Sequence, residues 1–182
     1  MALRKFISIS VGLLTISDTR TLENDKSGDL LSEKIIESGH KLISRKIVKD
    51  DVNQIQTVSK DWCQSPEIDV IISTGGTGLT GRDISPEAFK EIFEKEIEGF
   101  GEIFRYISYK KIGTSSMQSR ACAGVLNGTY IFVLPGSPSA CKDAWDEILI
   151  YQLDYRNKPC NFVEIIPRLL EKGQGRTGKL IG

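Results

Sequence analysis

Two aspartates that follow apolar segments are the residues of this 182-residue chain best suited to chemistry. Asp50 lies just after LISRKIV, and Asp83 lies beyond the apolar run VIIS and the glycine-rich loop that follows it. Carboxylate oxygens are preferred ligands of Mg²⁺, and a bound metal neutralises charge on a phosphoryl group in transfer. The pair predicts a site for a phosphorylated ligand together with a magnesium ion.

A glycine-rich run lies between the two aspartates and has very little side-chain bulk. It consists of Thr74, Gly75, Gly76, Thr77 and Gly78. Glycine permits backbone conformations and close approaches that a β-carbon would block. A strand that ends in such a loop ahead of a helix exposes N–H groups, which favour phosphate or carboxylate ligands. The chain lacks the full P-loop pattern G-x-x-x-x-G-K-[ST], and no G-x-G-x-x-G opens a helix, which excludes a P-loop ATPase and disfavours a Rossmann dehydrogenase.

Structural roles for the same residues stay open at this level. Asp50 could cap the helix that follows it, and Asp83 could favour the N-terminus of a nearby helix. The glycines could be turn residues only, since a lone glycine cluster is a weak signal.

The elements that would position these residues alternate between strands and helices. Strands are predicted at Phe6–Ile16, Leu42–Val48, Ile68–Ser73 and Tyr130–Leu134, and the first three are separated by helices at Ser27–Ser38 and Val52–Trp62. This order is typical of a parallel sheet with helices on both faces. The loops after the four strands share one edge of such a sheet, so we expect them to form one crevice. Those loops are Ser17–Asp18, Lys49–Asp51, Thr74–Asp83 and Pro135–Ser137.

The second half of the chain is less regular. A helix is expected from Ser85, as its cap, to about Glu96, followed by a glycine break and a helix over Glu102–Tyr109. Residues 112–123 are predicted as a loop and a short helix, before an Asn-Gly turn at residues 126–129. Helices are also expected after Pro138, with Ser137 as cap, and near Val163–Leu170. The length predicts one domain over residues 1–172, and residues 173–182 have the composition of a flexible arm.

Composition narrows the function class. The chain has 24 basic and 24 acidic residues, so its net charge of zero argues against a nucleic-acid partner. Four scattered cysteines and the single His40 are poor material for a zinc site and predict buried, reduced thiols in a cytoplasmic protein. No signal peptide and no membrane-spanning run is recognised, so no membrane partner is expected.

Several motifs together resemble the MoaB/Mog family of molybdenum cofactor biosynthesis, which includes the G domain of gephyrin. The resemblance covers roughly residues 6–170 and rests on STGGTG at 73–78, RDISPE at 82–87, EGFGE at 98–102, SR at 119–120 and LPGSP at 134–138. The runs GTSSMQSR and NKPCNF are closer to the MoaB branch than to the Mog branch.

The resemblance implies a three-layer α/β/α sandwich with a mostly parallel central sheet, the molybdopterin-binding fold, assembled as a trimer or hexamer. Active members adenylylate molybdopterin with Mg-ATP and release pyrophosphate, with Mg²⁺ as cofactor and ATP as co-substrate. By resemblance, Asp50 and Asp83 are the catalytic and metal-holding residues. The implied substrate-binding residues are Asp18, Thr74, Gly75, Gly76, Thr77, Gly78, Ser119, Arg120, Pro135, Gly136 and Ser137, with Arg120 the natural phosphate contact.

Proteins of the MoaB branch differ in whether they carry out adenylyl transfer, so a second function stays open. The alternative is a non-catalytic molybdopterin-binding protein that acts as an oligomeric binding or assembly partner of other molybdenum cofactor biosynthesis proteins. Mog-type chains have proline before the first aspartate, whereas this chain has Lys49. Lys49 could aid phosphate binding or be a surface residue, and we favour the surface.

Overall fold

A six-stranded sheet forms the centre of the computed structural model, which describes residues 4–171. Its strands are β1 (Ser10–Ile16), β2 (Lys41–Val48), β3 (Val70–Thr74), β4 (Lys95–Glu96), β5 (Cys122–Leu126) and β6 (Thr129–Leu134), in the order β2-β1-β3-β6-β5-β4. The first four strands of that order pair in parallel, and β5 and β4 are antiparallel. The predicted arm at residues 173–182 lies outside the described residues.

Helices connect the strands. They are α1 (Lys26–Glu37), α2 (Val52–Gln64), α3 (Ser85–Lys90), α4 (Glu98–Ile112), α5 (Pro138–Ala144), α6 (Ile150–Gln152) and α7 (Phe162–Ile165). A π-helical segment, Trp145–Leu149, continues α5 into α6, and short 3₁₀ segments follow α4 and α7 at Gly113–Gln118 and Ile166–Arg168. Within the described range, no helix is both long and apolar enough to cross a membrane.

The sheet separates two hydrophobic cores, because alternate side chains of a strand point to opposite faces. On β1, Val11 and Leu13 lie in the core that α1, α4 and α5 cover, whereas Leu14 and Ile16 lie in the core that α2 and α3 cover. Gly12 leaves room for the Trp62 ring, since a β-carbon there would lie 2.7 Å from it. The predicted three-layer α/β/α architecture is therefore confirmed.

Strand β5 was not predicted, since residues 112–123 were expected to end in a short helix. The structure places β5 beside β6 in a hairpin, with Asn127 and Gly128 at φ of 46° and 73°. Positive φ at both central residues is the twist that a two-residue hairpin turn requires, so an Asn-Gly turn favours a strand on each side. Small residues such as Gly124 have low strand propensity, so this strand is hard to recognise in the sequence. The fold nevertheless requires glycine at this position, because a β-carbon would lie 2.3 Å from the Phe93 ring.

The helices after Ser85 also differ from the prediction. Helix α3 ends at Lys90, and residues 95–96 form β4 against β5. The predicted break at residues 99–101 lies inside α4, where Phe100 and Phe104 are buried and stack at 6.4 Å. A glycine inside a helix costs about 1 kcal/mol, which the burial of two aromatic rings more than offsets.

Candidate functional site

The carboxyl ends of β1 and β3 mark the natural binding edge of this sheet. From β1 the chain crosses to β2 on one side, and from β3 it continues to β6 on the other, so the strand order reverses between β1 and β3. Ligands of open α/β sheets bind in the crevice at such a reversal. The glycine loop that follows Thr74 lies at this position.

The glycine loop packs too tightly for any other residue at its first positions. Gly75 and Gly76 have φ of 107° and 63°, and a β-carbon on Gly75 would lie 2.1 Å from the carbonyl oxygen of Ile16. Ser85 was expected to cap α3, but Ile84 occupies the cap position, and the Ser85 hydroxyl donates instead to the Gly75 carbonyl at 2.8 Å. The loop is thus fixed against the end of β1 and the start of α3.

Asp50 is free to face this loop because its neighbour caps the helix. The Asp51 side chain accepts from the N–H of Gln54 at 2.8 Å, which settles the capping alternative for Asp50. The Asp50 carboxylate lies over Gly76 instead, where a β-carbon would be 2.8 Å from Oδ1. The backbone N–H of Asp18 also donates to Asp50, so this carboxylate joins the ends of three strands.

Asp50 is surrounded by negative charge. Burial raises the pKa of Asp50, and the carboxylates of Asp18 and Asp83 raise it further. The N–H of Asp18 and the Arg82 guanidinium lower the pKa, but it stays raised overall. Arg82 lies across the crevice mouth, pairs with the Asp18 carboxylate and is 76% exposed. A carboxylate whose ionised form is disfavoured in the free protein is well suited to a cation.

Asp83 has a structural role as well as a place in the crevice. Its Oδ2 accepts from the N–H and the hydroxyl of Thr80 at 2.9 and 2.6 Å, and it lies against Gly78. The hydroxyl bond is the main cause of the lowered pKa of Asp83; the N–H groups of Thr80 and Gly78 act in the same direction. Asp83 therefore organises its own loop through Oδ2.

Arg120 supports the glycine loop. Its guanidinium donates to the carbonyls of Gly78 and Asp83 at 2.8 and 2.6 Å and pairs with Glu87. These contacts hold both ends of the loop segment that carries Asp83. The expected contact between Arg120 and a phosphate stays a prediction.

A cavity of about 600 Å³ opens beside Arg120 and Ser119. The charged residues of its wall include Glu87, Lys90, Glu98, Glu102 and Arg105. The Ser119 Oγ is buried and has no hydrogen-bond partner among residues 4–171. The cavity can therefore satisfy a polar ligand with both donors and acceptors.

The loop after β6 completes the crevice. A β-carbon on Gly136 would lie 3.3 Å from Cα of Gly75, so the two loops are in contact. Thr74 joins them from below, since its hydroxyl donates to the Pro135 carbonyl at 2.8 Å. Ser137 caps α5 as predicted and accepts from the N–H of Ala140 at 3.3 Å.

The structure brings most of the predicted residues together. Asp18, Asp50, Asp83, the glycine loop and the loop Pro135–Ser137 meet at one sheet edge. Ser119 lines the neighbouring cavity instead, and the residue after it, Arg120, donates to the glycine loop. Thr77 is buried.

Sequence reasoning missed two residues behind this edge, Asp25 and Arg20. Asp25, not Ser27, caps α1; it is fully buried and pairs with Arg20. An aspartate three residues before Gly28 reads as a helix cap, and no local signal marks its burial. Of the four cysteines, Cys63, Cys122 and Cys141 are buried, as expected, and Cys160 is exposed.

The donor set fits Mg²⁺ held together with a phosphorylated substrate. Within residues 4–171 no three carboxylate, histidine or cysteine side chains converge to hold a metal ion. Mg²⁺ is commonly held by one or two carboxylates plus substrate phosphates and water. Asp50 beside Gly76 and Asp83 beside Gly78 match that pattern better than a site made of protein groups alone.

Known proteins resemble the chain over most of its length. The family described as "Probable molybdopterin binding domain" matches residues 12–155. Molybdenum cofactor biosynthesis protein B of Escherichia coli K12 is 46% identical over 158 residues, which cover 87% of this chain and 93% of the relative.

Solved structures of two proteins also resemble the chain. A crystal structure of molybdenum cofactor biosynthesis protein B has a TM-score of 0.79 and 43% identity, over 84% of this chain and 94% of the other. A structure of MogA has a TM-score of 0.70 and 26% identity, over 79% and 97%. The resemblance to the MoaB branch is thus confirmed, and the chain belongs to the molybdopterin-binding family that includes molybdenum cofactor biosynthesis protein B.

Proposed function

We propose that this protein adenylylates molybdopterin in molybdenum cofactor biosynthesis. The phosphate of molybdopterin attacks the α-phosphorus of ATP, the bond to the β-phosphate oxygen breaks, and pyrophosphate leaves with that bond's electron pair. The products are molybdopterin-AMP and pyrophosphate. One observation carries the proposal: the Asp50 carboxylate, freed from capping by Asp51, lies over Gly76 at the sheet edge.

Asp50 and Asp83 are the residues that would hold Mg²⁺ together with the phosphorylated substrate. The bound ion would neutralise charge on the phosphoryl oxygens and on the leaving pyrophosphate. Asp83 is held in one orientation by Thr80, which reduces the entropy lost on binding. Burial and the Asp18 carboxylate raise the pKa of Asp50, and the cation of Mg-ATP would favour its ionised form.

The glycine loop would orient the phosphates. The N–H groups of Gly76 and Thr77 have no acceptor among the described residues. Backbone N–H groups at such a loop bind phosphate oxygens without side-chain reorganisation. Asp18 would form the opposite wall of the crevice, where its carboxylate is paired with Arg82.

Molybdopterin would occupy the cavity beside Ser119. The charged wall would satisfy the polar edge of a pterin, and Arg120 would contact its phosphate or hold the loop that does. Pro135, Gly136 and Ser137 would close the other side. Molybdopterin and ATP are then the two small-molecule partners of one continuous site.

The direct test is a reaction of purified protein with molybdopterin and Mg-ATP. The proposal predicts equal amounts of molybdopterin-AMP and pyrophosphate, and neither product when molybdopterin, ATP or Mg²⁺ is omitted. Pyrophosphate formed at the same rate without molybdopterin would indicate a nucleotide hydrolase and would reject the proposal.

A binding protein without turnover is the second candidate. It is favoured by the use of Asp83 Oδ2 within its own loop. It predicts calorimetric binding of molybdopterin with no ATP-dependent product after hours. Detection of molybdopterin-AMP would exclude it.

Self-association into a trimer or hexamer is a further part of the proposal. An apolar cleft of about 410 Å³ lies beside α4, and two residues that line it, Ile103 and Tyr151, are 50% and 54% exposed. Contiguous apolar surface of this kind marks interaction sites. Light scattering of the purified protein should give three or six times the mass of one chain, and a monomer would contradict it. Contacts with other molybdenum cofactor biosynthesis proteins stay a prediction.

A further inference from the structure

Asp25 is a fully buried carboxylate with donors on every side. It accepts from the Thr15 hydroxyl at 2.7 Å and the N–H of Gly28 at 3.0 Å, and it pairs with Arg45 and Arg20 at 3.1 and 3.2 Å. Burial alone would raise the pKa of Asp25, but these hydrogen bonds and the Arg45 charge lower it overall. Asp25 is therefore a fixed negative charge inside the protein.

Arg20 connects the buried Asp25 carboxylate to the crevice. One of its terminal nitrogens pairs with Asp25, and the other donates to the Gly136 carbonyl at 2.8 Å. The Ser27 hydroxyl donates to the same carbonyl at 2.7 Å. Two groups that lie after β1 thus hold one peptide of the loop that follows β6.

The preceding carbonyl is held in the same way. The Pro135 oxygen accepts from the Thr74 hydroxyl at 2.8 Å and from the Cys141 thiol at 3.2 Å. Within residues 4–171 the only cis peptide precedes Pro159, so both peptides of this loop are trans. In a trans peptide the C=O and N–H point in opposite directions. The N–H groups of Gly136 and Ser137 therefore point away from the groups that hold the carbonyls.

These two N–H groups are available to a ligand. Neither has an acceptor among the described residues. They lie beside Gly75, since a β-carbon on Gly136 would be 3.3 Å from its Cα. A buried or crevice-lining N–H without an acceptor favours an anionic oxygen.

We propose that Arg20, anchored by the buried Asp25, is a positioning residue that turns the Gly136 and Ser137 N–H groups toward a substrate phosphate. The inference rests on the proposed function and names the part of the site that the β6 loop forms. The phosphate could belong to ATP or to molybdopterin, since both carry the same oxyanion chemistry.

Arg45 provides a matched comparison within the same network. It pairs with the same Asp25 oxygen that Thr15 contacts and also with Asp29, but it makes no contact with the β6 loop. Removing either arginine deprives Asp25 of one countercharge. Only the removal of Arg20 also takes a donor from the Gly136 carbonyl, which then keeps the Ser27 hydroxyl alone.

The test measures ligand affinity for Arg20→Gln and Arg45→Gln by calorimetry, with Mg-ATP and molybdopterin titrated separately. Both variants should unfold at lower temperature than the wild type. Arg20→Gln should weaken the binding of one of the two ligands about tenfold, the effect of one lost hydrogen bond to a charged group. Arg45→Gln should bind both ligands within about twofold of the wild type. Arg20→Lys, which keeps the charge but loses the fork that spans two acceptors, should fall between them.

The outcomes separate this inference from the proposed function. Wild-type protein that binds neither ligand would reject the proposed function. Wild-type binding with equal affinity in Arg20→Gln would overturn the positioning role alone, as would an equal loss in Arg20→Gln and Arg45→Gln. Circular dichroism at the titration temperature confirms that each variant is folded.

Discussion

The Asp50 carboxylate lies so close to Gly76 that a β-carbon on the glycine would be 2.8 Å from Oδ1. The same β-carbon would lie 2.2 Å from the Ser85 hydroxyl, and Gly76 has a φ of 63°. The loop, the carboxylate and the start of α3 are therefore fitted to one another.

Gly76→Ala is expected to damage both stability and activity. The alanine must displace Asp50 or Ser85 and adopt a left-handed conformation, at a cost of about 1–3 kcal/mol in unfolding free energy. Gly81→Ala is the matched control in the same loop, because a β-carbon there meets nothing within 4 Å. Denaturant unfolding and pyrophosphate release should separate the two variants, and equal behaviour would show that the close approach is unimportant.

The dual role of Asp83 can be separated by two substitutions. Asp83→Asn keeps an oxygen that can accept from Thr80 but removes the charge, so adenylyl transfer should fall by about 100-fold or more, as for a lost electrostatic contact in a transition state. Thr80→Val removes the hydroxyl donor and keeps the carboxylate, so it should lose less activity. Activity that survives in Asp83→Asn would remove its catalytic role, and a larger loss in Thr80→Val would make Asp83 a loop residue only.

The pH dependence of stability should reveal the environment of Asp50. Its folded-state pKa is raised above 3.8, so between the two values the folded protein binds more protons than the unfolded chain, and stability falls as pH rises through that window. Asp50→Asn should therefore raise the melting temperature at pH 7, and the gain should disappear below about pH 3.8, the ordinary value. A lower melting temperature at pH 7 would mean that ionised Asp50 stabilises the free protein.

Arg82→Gln should have opposite effects on two ligands. Asp18 would lose its countercharge, so the free protein should bind Mn²⁺, a spectroscopic substitute for Mg²⁺, more tightly. Mg-ATP should bind more weakly, because a cation at the crevice mouth is lost. Electron paramagnetic resonance measures the first and calorimetry the second. Arg156→Gln, an exposed arginine paired with Asp154, is the control that should change neither. Loss of Mn²⁺ affinity in Arg82→Gln would contradict the assignment.

Local sequence signals predicted one half of the site. Asp50 and Asp83 were recognisable because each follows an apolar strand, and glycines between them indicated a loop that can approach a ligand closely. The parallel order of the first strands followed from their alternation with helices. The three-layer fold came from the family resemblance, and the two hydrophobic cores confirm it.

The other half depends on contacts that sequence spacing does not reveal. Arg20 and Gly136 are 116 positions apart, and only the pairing of β1 with β3 and of β3 with β6 brings their loops together. Likewise β5 contains Cys122, Ala123 and Gly124, whose weak strand propensity is outweighed by burial between β6 and β4. Contacts between residues that are distant in the sequence determine both the Arg20–Gly136 hydrogen bond and the formation of β5.

The central claim is that Asp50 acts in adenylyl transfer and Asp51 does not. The two residues are neighbours of the same type, and only Asp51 caps α2. Asp51→Asn should therefore lower stability by at most about 1 kcal/mol and keep its activity.

The most direct measurement is the rate of molybdopterin-dependent pyrophosphate release from Mg-ATP by the wild type, Asp50→Asn and Asp51→Asn. We expect release by the wild type, a similar rate for Asp51→Asn, and a loss of about 100-fold or more for Asp50→Asn despite its higher melting temperature. Equal rates for Asp50→Asn and the wild type would contradict the account.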